Sequence, residues 1–245
     1  MVRLRIQYEK VDSIRFCSHR DIMRGFRRTF AASQIPVCFS QGFNPHPRLS
    51  FGPSLRTGWE GDEEYMDVQL SEPVNDFGAR CNPSLPGGLR IKRTVEVSDG
   101  VPKLTADVSA ARYELRIHKS SLAAGKNSRW DSFLRESTSD DAPMSELMRS
   151  AIEQLDVWQV GTSDGGHPVS LIELDVYEQD GEIRIDYLSS MRGGKSIFPE
   201  DLLEPYVGDP NDLETPVRTK RKALYVKRGG DLCSPINKGV VQTAL

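Results

Sequence analysis

The chain has 245 residues, 32 Lys+Arg against 35 Asp+Glu and a formal net charge of −3, with 38% hydrophobic and 27% charged residues. That length holds one large domain or two small ones with a real core, and 20 Gly and 15 Pro are counts that exclude a collagen-like or wholly disordered chain. No stretch approaches the ~18 apolar residues of a membrane helix, and Met1 to Ile6 alternates polar and apolar residues unlike a signal peptide, so the expected setting is cytoplasmic, without a membrane, and with Cys17, Cys38, Cys81 and Cys233 reduced.

In chain order, Val2, Leu4, Ile6 and Tyr8 share one face of a half-buried strand. Ser18 opens a helix, with Asp21 at capping-box spacing. Ile22, Met23, Phe26 and Phe30 gather on one side of it, and Arg20, Arg24, Arg27 and Arg28 on another, roughly 130° away. Pro36 ends this helix near Gln34. Pro36 to Ser40 reads as a short strand, and strand character returns only at Tyr65 to Leu70. The long loop between them is of a kind that is functional or disordered, and Phe43, Leu49, Phe51, Leu55 and Trp59 argue against disorder. A helix from about Val74 to Cys81 leads through the Pro86-Gly87-Gly88 turn to a strand at Leu89 to Val97.

Residues 98–110 read as a linker, after which the order repeats. Arg112 to His118 is a strand, 119–141 is polar and partly loose, and Met144 to Leu155 is a helix. Val169 to Tyr177 and Ile183 to Leu188 form a hairpin through Asp180-Gly181. A helix starts at Pro199, a last strand lies within Val217 to Lys227, and 229–245 is an irregular tail. Strand, helix, strand, strand, helix, strand, twice over, predicts an α+β chain of two tandem ferredoxin-like (βαββαβ) units with antiparallel sheets, at 1–97 and 111–228.

The net charge hides an asymmetry. Residues 1–56 carry ten Lys/Arg and three acids, a charge of +7, while the remainder carries 22 and 32, a charge of −10. A basic end on an acidic body points to an anionic partner. Four guanidiniums on one helical face suit phosphate, which accepts their paired donors; Arg48 adds to them, and Phe43 and Trp59 are candidates to stack on bases. The alternatives are an acidic protein partner or a solvated face.

The unusual residues form two clusters, one with Ser18, His19 and Asp21, the other with Gln41, Gly42, Asn44 and His46. Imidazoles at His19 and His46 are candidates for the acid and base of a metal-independent ribonuclease; the blander reading is that His19 starts the helix and His46 braces the loop. Cys17, His19, Cys38 and His46 are zinc-type ligands, but the spacing is not that of a zinc site and Cys17 and Cys38 fall at positions expected to be buried, so no metal is assigned. Gly193-Gly194-Lys195-Ser196 lacks the first glycine of a phosphate-binding loop. No cofactor is expected, and a binding role is favoured over an enzyme.

Ile14 to Arg24 (I-R-F-C-S-H-R-D-I-M-R), Pro36 to Phe51 with S-Q-G-F-N-P-H-P, and Glu64 to Leu70 (E-Y-M-D-V-Q-L) resemble the radical-SAM-associated domain family, a domain of unknown function. Asn82 to Leu89 and Val217 to Val226 are similar to it as well; 119–165 is the least family-like, and Arg20 stands where the family pattern has an apolar residue. The resemblance implies an accessory role beside a radical SAM protein that carries its own iron–sulfur cluster, in a gene setting of ribonuclease and ribosomal components: holding a substrate, RNA first among them, or docking on the partner. It carries over no catalytic residue. The remaining alternative is a protein–protein adaptor with no nucleic-acid role.

Overall fold

The computed structural model describes residues 1–123, 142–155, 169–207, 213 and 215–236. The chain is mixed α+β and divides into two compact units, Met1–Ser109 together with the segment from Arg221 on, and Ala110–Lys220. Among the described residues no helix is long and apolar enough to cross a membrane.

The first unit starts with β1 (Val2–Lys10), a 3-10 turn (Asp12–Phe16) and α1 (His19–Ala32). It continues through β2 (Leu49–Phe51), β3 (Glu60–Leu70), α2 (Phe77–Cys81), β4 (Leu89–Glu96) and α3 (Leu104–Asp107). β1 pairs antiparallel with both β3 and β4, and β2 pairs antiparallel with β3, giving the order β4-β1-β3-β2. Leu4, Ile6 and Tyr8 of β1 meet Ile22, Phe26 and Phe30 of α1 in one core. Tyr8 and Phe26 pack edge to face at 4.9 Å.

β1 is not half-buried as its alternation suggests. Its other face is closed as well, because Arg5 is fully buried and Gln7 nearly so. Arg5 stands opposite Asp67 in the β1–β3 register, and its Nε donates to Asp67 Oδ1 at 2.8 Å. Arg3 reaches Asp67 Oδ2 at 2.6 Å and the Val101 carbonyl at 2.6 Å. Arg5 also donates to the Pro235 carbonyl at 3.1 Å, so this pair ties two distant segments across the strand.

Several sequence expectations are corrected here. The apolar run at Pro36 to Ser40 makes only isolated bridges, Val37 to Leu70 and Phe39 to Pro47, and the paired strand is Leu49–Phe51. β3 begins at Glu60, five residues before the expected strand, so the long loop is shorter than read. The expected linker holds α3 and the start of β5 (Val108–His118). The expected irregular tail holds β9 (Asp231–Cys233), paired with the end of β8 (Arg218–Arg228). The remainder of the tail, from 237, lies outside the described residues.

Among the described residues, Gly88 is the glycine where an added Cβ would meet backbone most closely. Its φ is +84°, and a Cβ there would stand 2.4 Å from the Val11 carbonyl oxygen. The same residue accepts a hydrogen bond from Val11 N at 2.9 Å, locking the turn before β4 against the 3-10 turn. Gly88→Ala is therefore expected to cost about 1–3 kcal/mol for the dihedral alone, with the backbone clash added. A lower urea midpoint for unfolding of the first unit, without change in the second, checks this; an unchanged midpoint contradicts it.

In the second unit, β5 is followed by α4 (Lys119–Ala123), α5 (Met144–Glu153), β6 (Leu171–Gln179), β7 (Glu182–Ser190) and α6 (Pro199–Val207). The strands run in the order β5-β7-β6, all antiparallel. Asp180 and Gly181, at φ +53° and +76°, make the expected hairpin turn between β6 and β7. Tyr113 and Tyr187 stack at 5.2 Å between β5 and β7. α5 buries Met148, Ala151 and Ile152. Of the stretch expected to be partly loose, 119–123 is α4 and the part from 124 to 141 lies outside the described residues.

Candidate functional site

α1 is started by its own sequence. Asp21 N donates to Ser18 Oγ and Ser18 N donates to the Asp21 carboxylate, both at 3.3 Å, a reciprocal capping box. Ser18 Oγ also donates to Asp21 Oδ2 at 2.6 Å, and these bonds hold the Asp21 carboxyl below its ordinary pKa. Ser18 and Asp21 thus have a structural task. Ile22, Phe26, Thr29 and Phe30 are the buried face of the helix.

The opposite face carries the arginines. Arg20, Arg24 and Arg28 are exposed, and Arg27 is half-buried with its Nε enclosed and unbonded. Arg24 meets Asp21 at 3.3 Å, an exposed pair of little energetic weight. Among the described residues, Arg20, Arg27 and Arg28 reach no carboxylate. Elsewhere arginines do: Arg5 meets Asp67, Arg112 meets Asp186, Arg149 meets Asp175 and Arg228 meets Asp107. Beyond Asp21 the sequence supplies no nearby acid, because between Asp21 and Glu60 it holds five arginines at 24, 27, 28, 48 and 56 and no carboxylate.

The +7 of the N-terminal segment is therefore not all surface charge. Arg3 and Arg5 are held by Asp67, Arg15 pairs with Glu60 at 3.1 Å, and Lys10 is buried. Arg56 lies over the Trp59 ring, and what remains for a partner is the α1 set and Arg48, which bonds Gln69 Oε1 at 3.1 Å at the edge of the hairpin described next.

The second cluster is a closed hairpin. Ser40 N donates to the His46 carbonyl at 2.8 Å, Arg48 N to the Cys38 carbonyl at 2.8 Å, and His46 N to Ser40 Oγ at 3.0 Å. Gln41, Gly42, Phe43, Asn44, Pro45 and His46 are all exposed at its tip. Phe43 is completely exposed, at 103%, and Phe39 is 56% exposed. Trp59 is the correction in this set: it is only 9% exposed, with Arg56 over its ring at 5.4 Å, and offers no face to a base.

The two histidines are placed differently. His19 is half-buried, edge-on to Phe51 at 5.2 Å, and burial lowers its pKa against the opposing pull of Glu64. His46 is exposed on the hairpin. Among the described residues the two rings share neither a hydrogen bond nor a ring contact. No three His, Cys, Asp or Glu side chains gather as a metal site among the described residues, and Cys17 and Cys38 are half-buried rather than buried. Gly193 and Gly194, at φ +57° and +82°, form a tight turn closed by Arg192 and Lys195 after β7.

Sequence reasoning missed a buried ionic cluster. Arg221 Nε donates to Glu64 Oε1 at 2.8 Å, and its Nη2 donates to the Pro53 carbonyl at 2.7 Å. Lys10 lies close by, its Nζ donating to the carbonyls of Arg15 at 3.0 Å and Cys17 at 3.2 Å. Burial lowers the Lys10 pKa, with Glu64 the chief opposing charge, while burial raises that of Tyr8. Lys10, Tyr8, His19 and Glu64 line a cavity of about 10 Å³, room for one water. Its size makes the cluster a fastening among strands rather than a ligand pocket. One sign was legible: Lys10 continues the even-numbered series of Leu4, Ile6 and Tyr8 that faces the core.

A family profile described as "Uncharacterized protein conserved in bacteria" (DUF2344) matches residues 3–164. The match includes the stretch read as least family-like and stops short of Val217 to Val226. No curated protein matches the chain. Similar solved structures include an unknown protein from Galdieria sulphuraria, 10% identical, covering 90% of this chain and 98% of that one at a TM-score of 0.24. The encapsulated DyP-type peroxidase of Mycobacterium smegmatis is 10% identical, covering 88% and 86% at 0.23. DyPB from Rhodococcus jostii RHA1 is 10% identical, covering 90% and 89% at 0.23. Likeness at that level carries no argument about function.

Proposed function

This chain belongs to the DUF2344 family of uncharacterized proteins conserved in bacteria, and from that premise we propose that it is an RNA-binding accessory protein that holds or presents a substrate to a radical SAM enzyme. The observation that carries the RNA half is the α1 face, where Arg20, Arg27 and Arg28 have, among the described residues, none of the carboxylate partners that arginines elsewhere in the chain have. Like charges on one exposed face repel, and phosphate relieves that repulsion while accepting bidentate bonds. The radical SAM half rests on the resemblance of the S-H-R-D and S-Q-G-F-N-P-H-P segments.

The architecture proposed with it is two ferredoxin-like units at 1–97 and 111–228. The first unit's order, β4-β1-β3-β2 with α1 and α2 as its crossovers, supports that reading. In the second, the succession of β5, α5, β6, β7 and α6 supports it; β8 follows in sequence, but from Arg221 on it is grouped with the first compact unit. The ribonuclease alternative gains nothing from the separate settings of His19 and His46.

The test is fluorescence anisotropy of labelled RNA with the purified, nuclease-treated full chain across a salt series. Binding is expected to weaken steeply with salt, and Arg24→Glu/Arg28→Glu to lower the slope of log K against log salt by about 0.7–0.9 for each phosphate that is no longer neutralised. Unchanged affinity in that variant contradicts the assignment of the face. No RNA binding at all leaves the adaptor reading, with co-purification of the radical SAM protein free of nucleic acid as its mark.

A further inference from the structure

We infer that the nucleic acid taken here is single-stranded, and that the hairpin at residues 39–47 stacks unpaired bases on Phe39 and Phe43. The inference rests on the nucleic-acid reading above and deepens it, because α1 alone binds phosphate without regard to strandedness.

Three observations combine. First, the rings are offered to solvent rather than packed. Phe43 is completely exposed and Phe39 more than half exposed; Phe16, also exposed, has Arg15 over its ring at 4.7 Å, and Phe26, Phe30, Phe51 and Phe77 of the same unit are buried in its core. Second, the support is rigid. The Phe39–Pro47 bridge and the Ser40–His46 bonds close the hairpin, and Pro45 and Pro47 fix two of its φ angles. Gly42, at φ +146° with open space around it, lets the tip turn. A preorganised platform loses little entropy when a base lands on it.

Third, the surroundings match a nucleotide. The side chains of Gln41, Asn44 and His46 beside Phe43 are exposed and make no hydrogen bond among the described residues, leaving donors and acceptors for base edges. Arg48 stands at the base of the hairpin, and no acidic residue stands between Asp21 and Glu60 in the sequence to repel phosphate. An aromatic ring needs the face of a base, and in a duplex those faces are covered by neighbouring pairs. The A-form major groove is also too deep and narrow for side chains to read. Unpaired strands expose both faces and edges, and stacking on them tolerates any base.

The experiment uses the full chain with two labelled probes of equal phosphate number, a short oligouridylate and a fully paired RNA duplex. The oligouridylate is expected to bind at least about tenfold tighter, and Phe39→Ala and Phe43→Ala are each expected to weaken it by about five- to 150-fold while leaving duplex affinity and the salt slope unchanged. Arg48→Ala, by contrast, lowers the slope by about 0.7. Both phenylalanines are exposed, so these variants keep the core. Equal affinity for the two probes, or unchanged oligouridylate binding in Phe43→Ala, overturns the inference and leaves the RNA reading standing. Binding of neither probe overturns both.

Discussion

Asp67→Asn is expected to destabilise the first unit by about 3–5 kcal/mol, the range for stripping one partner from a buried ion pair. Asp67 is the carboxylate that serves both Arg3 and Arg5, and Arg5 is fully buried. Without that charge two guanidiniums are left with neutral acceptors only, one amide oxygen and the carbonyls of Val101, Pro102 and Pro235, and the new amide NH2 faces them as a donor. An uncompensated buried cation has no cheap escape, because arginine does not deprotonate. Amide exchange along β1 and β3 reads the effect directly and avoids assuming that two units unfold as one. Faster exchange should spread from Arg3 and Arg5 to the segments they hold. A destabilisation below about 1 kcal/mol, the level of an exposed pair, would mean that Arg5 reaches solvent and that the second face of β1 is open.

This arginine pair also marks where sequence reading stops. Local chemistry announces itself: the Ser18–Asp21 box, the core stripe of α1 and the Asp180-Gly181 turn all depend on residues within a few positions of one another. An arginine looks the same in sequence whether it is buried against a carboxylate or offered to phosphate. The partner of Arg5 lies 62 residues away, and only the β1–β3 register brings them together. Arg3 and Arg5 therefore count towards a basic segment but are committed to Asp67, Arg5 in the interior and Arg3 partly buried, while Arg20, Arg24 and Arg28 do stand at the surface.

The same limit explains the misplaced second strand and Trp59. Pro36 to Ser40 has the composition of a strand, but pairing is decided by which stretch lies along β3, and that is Leu49–Phe51. A tryptophan in a long loop looks available for stacking until the loop folds back and buries it. The candidate interface was legible as residue types, α1 and the 41–48 hairpin. The commitment of each residue, inward or outward, was not.

The buried pair of Glu64 and Arg221 allows a sharper test, because its two halves predict opposite outcomes. Arg221→Met alone leaves Glu64 buried without its partner and is expected to cost about 3–5 kcal/mol. Glu64→Leu/Arg221→Met removes both charges and fills the space with apolar atoms, so most of that stability should return. What does not return is the donation to the Pro53 and Ser54 carbonyls, about 1 kcal/mol each. The double variant carries a second signature through Lys10. Glu64 raises the lysine's pKa against burial by more than Arg221 lowers it, so removing both charges depresses that pKa further. A lysine with a lowered folded-state pKa binds fewer protons folded than unfolded, so stability rises with pH. The window runs from the lowered value up to the ordinary 10.5, and it widens in the double variant. Urea unfolding of the single and double variants at neutral and alkaline pH separates the cases. A double variant no more stable than Arg221→Met, with no steeper pH dependence than the parent, would mean that the cluster fastens the strands by shape and carbonyl bonding and that its charges contribute nothing to it.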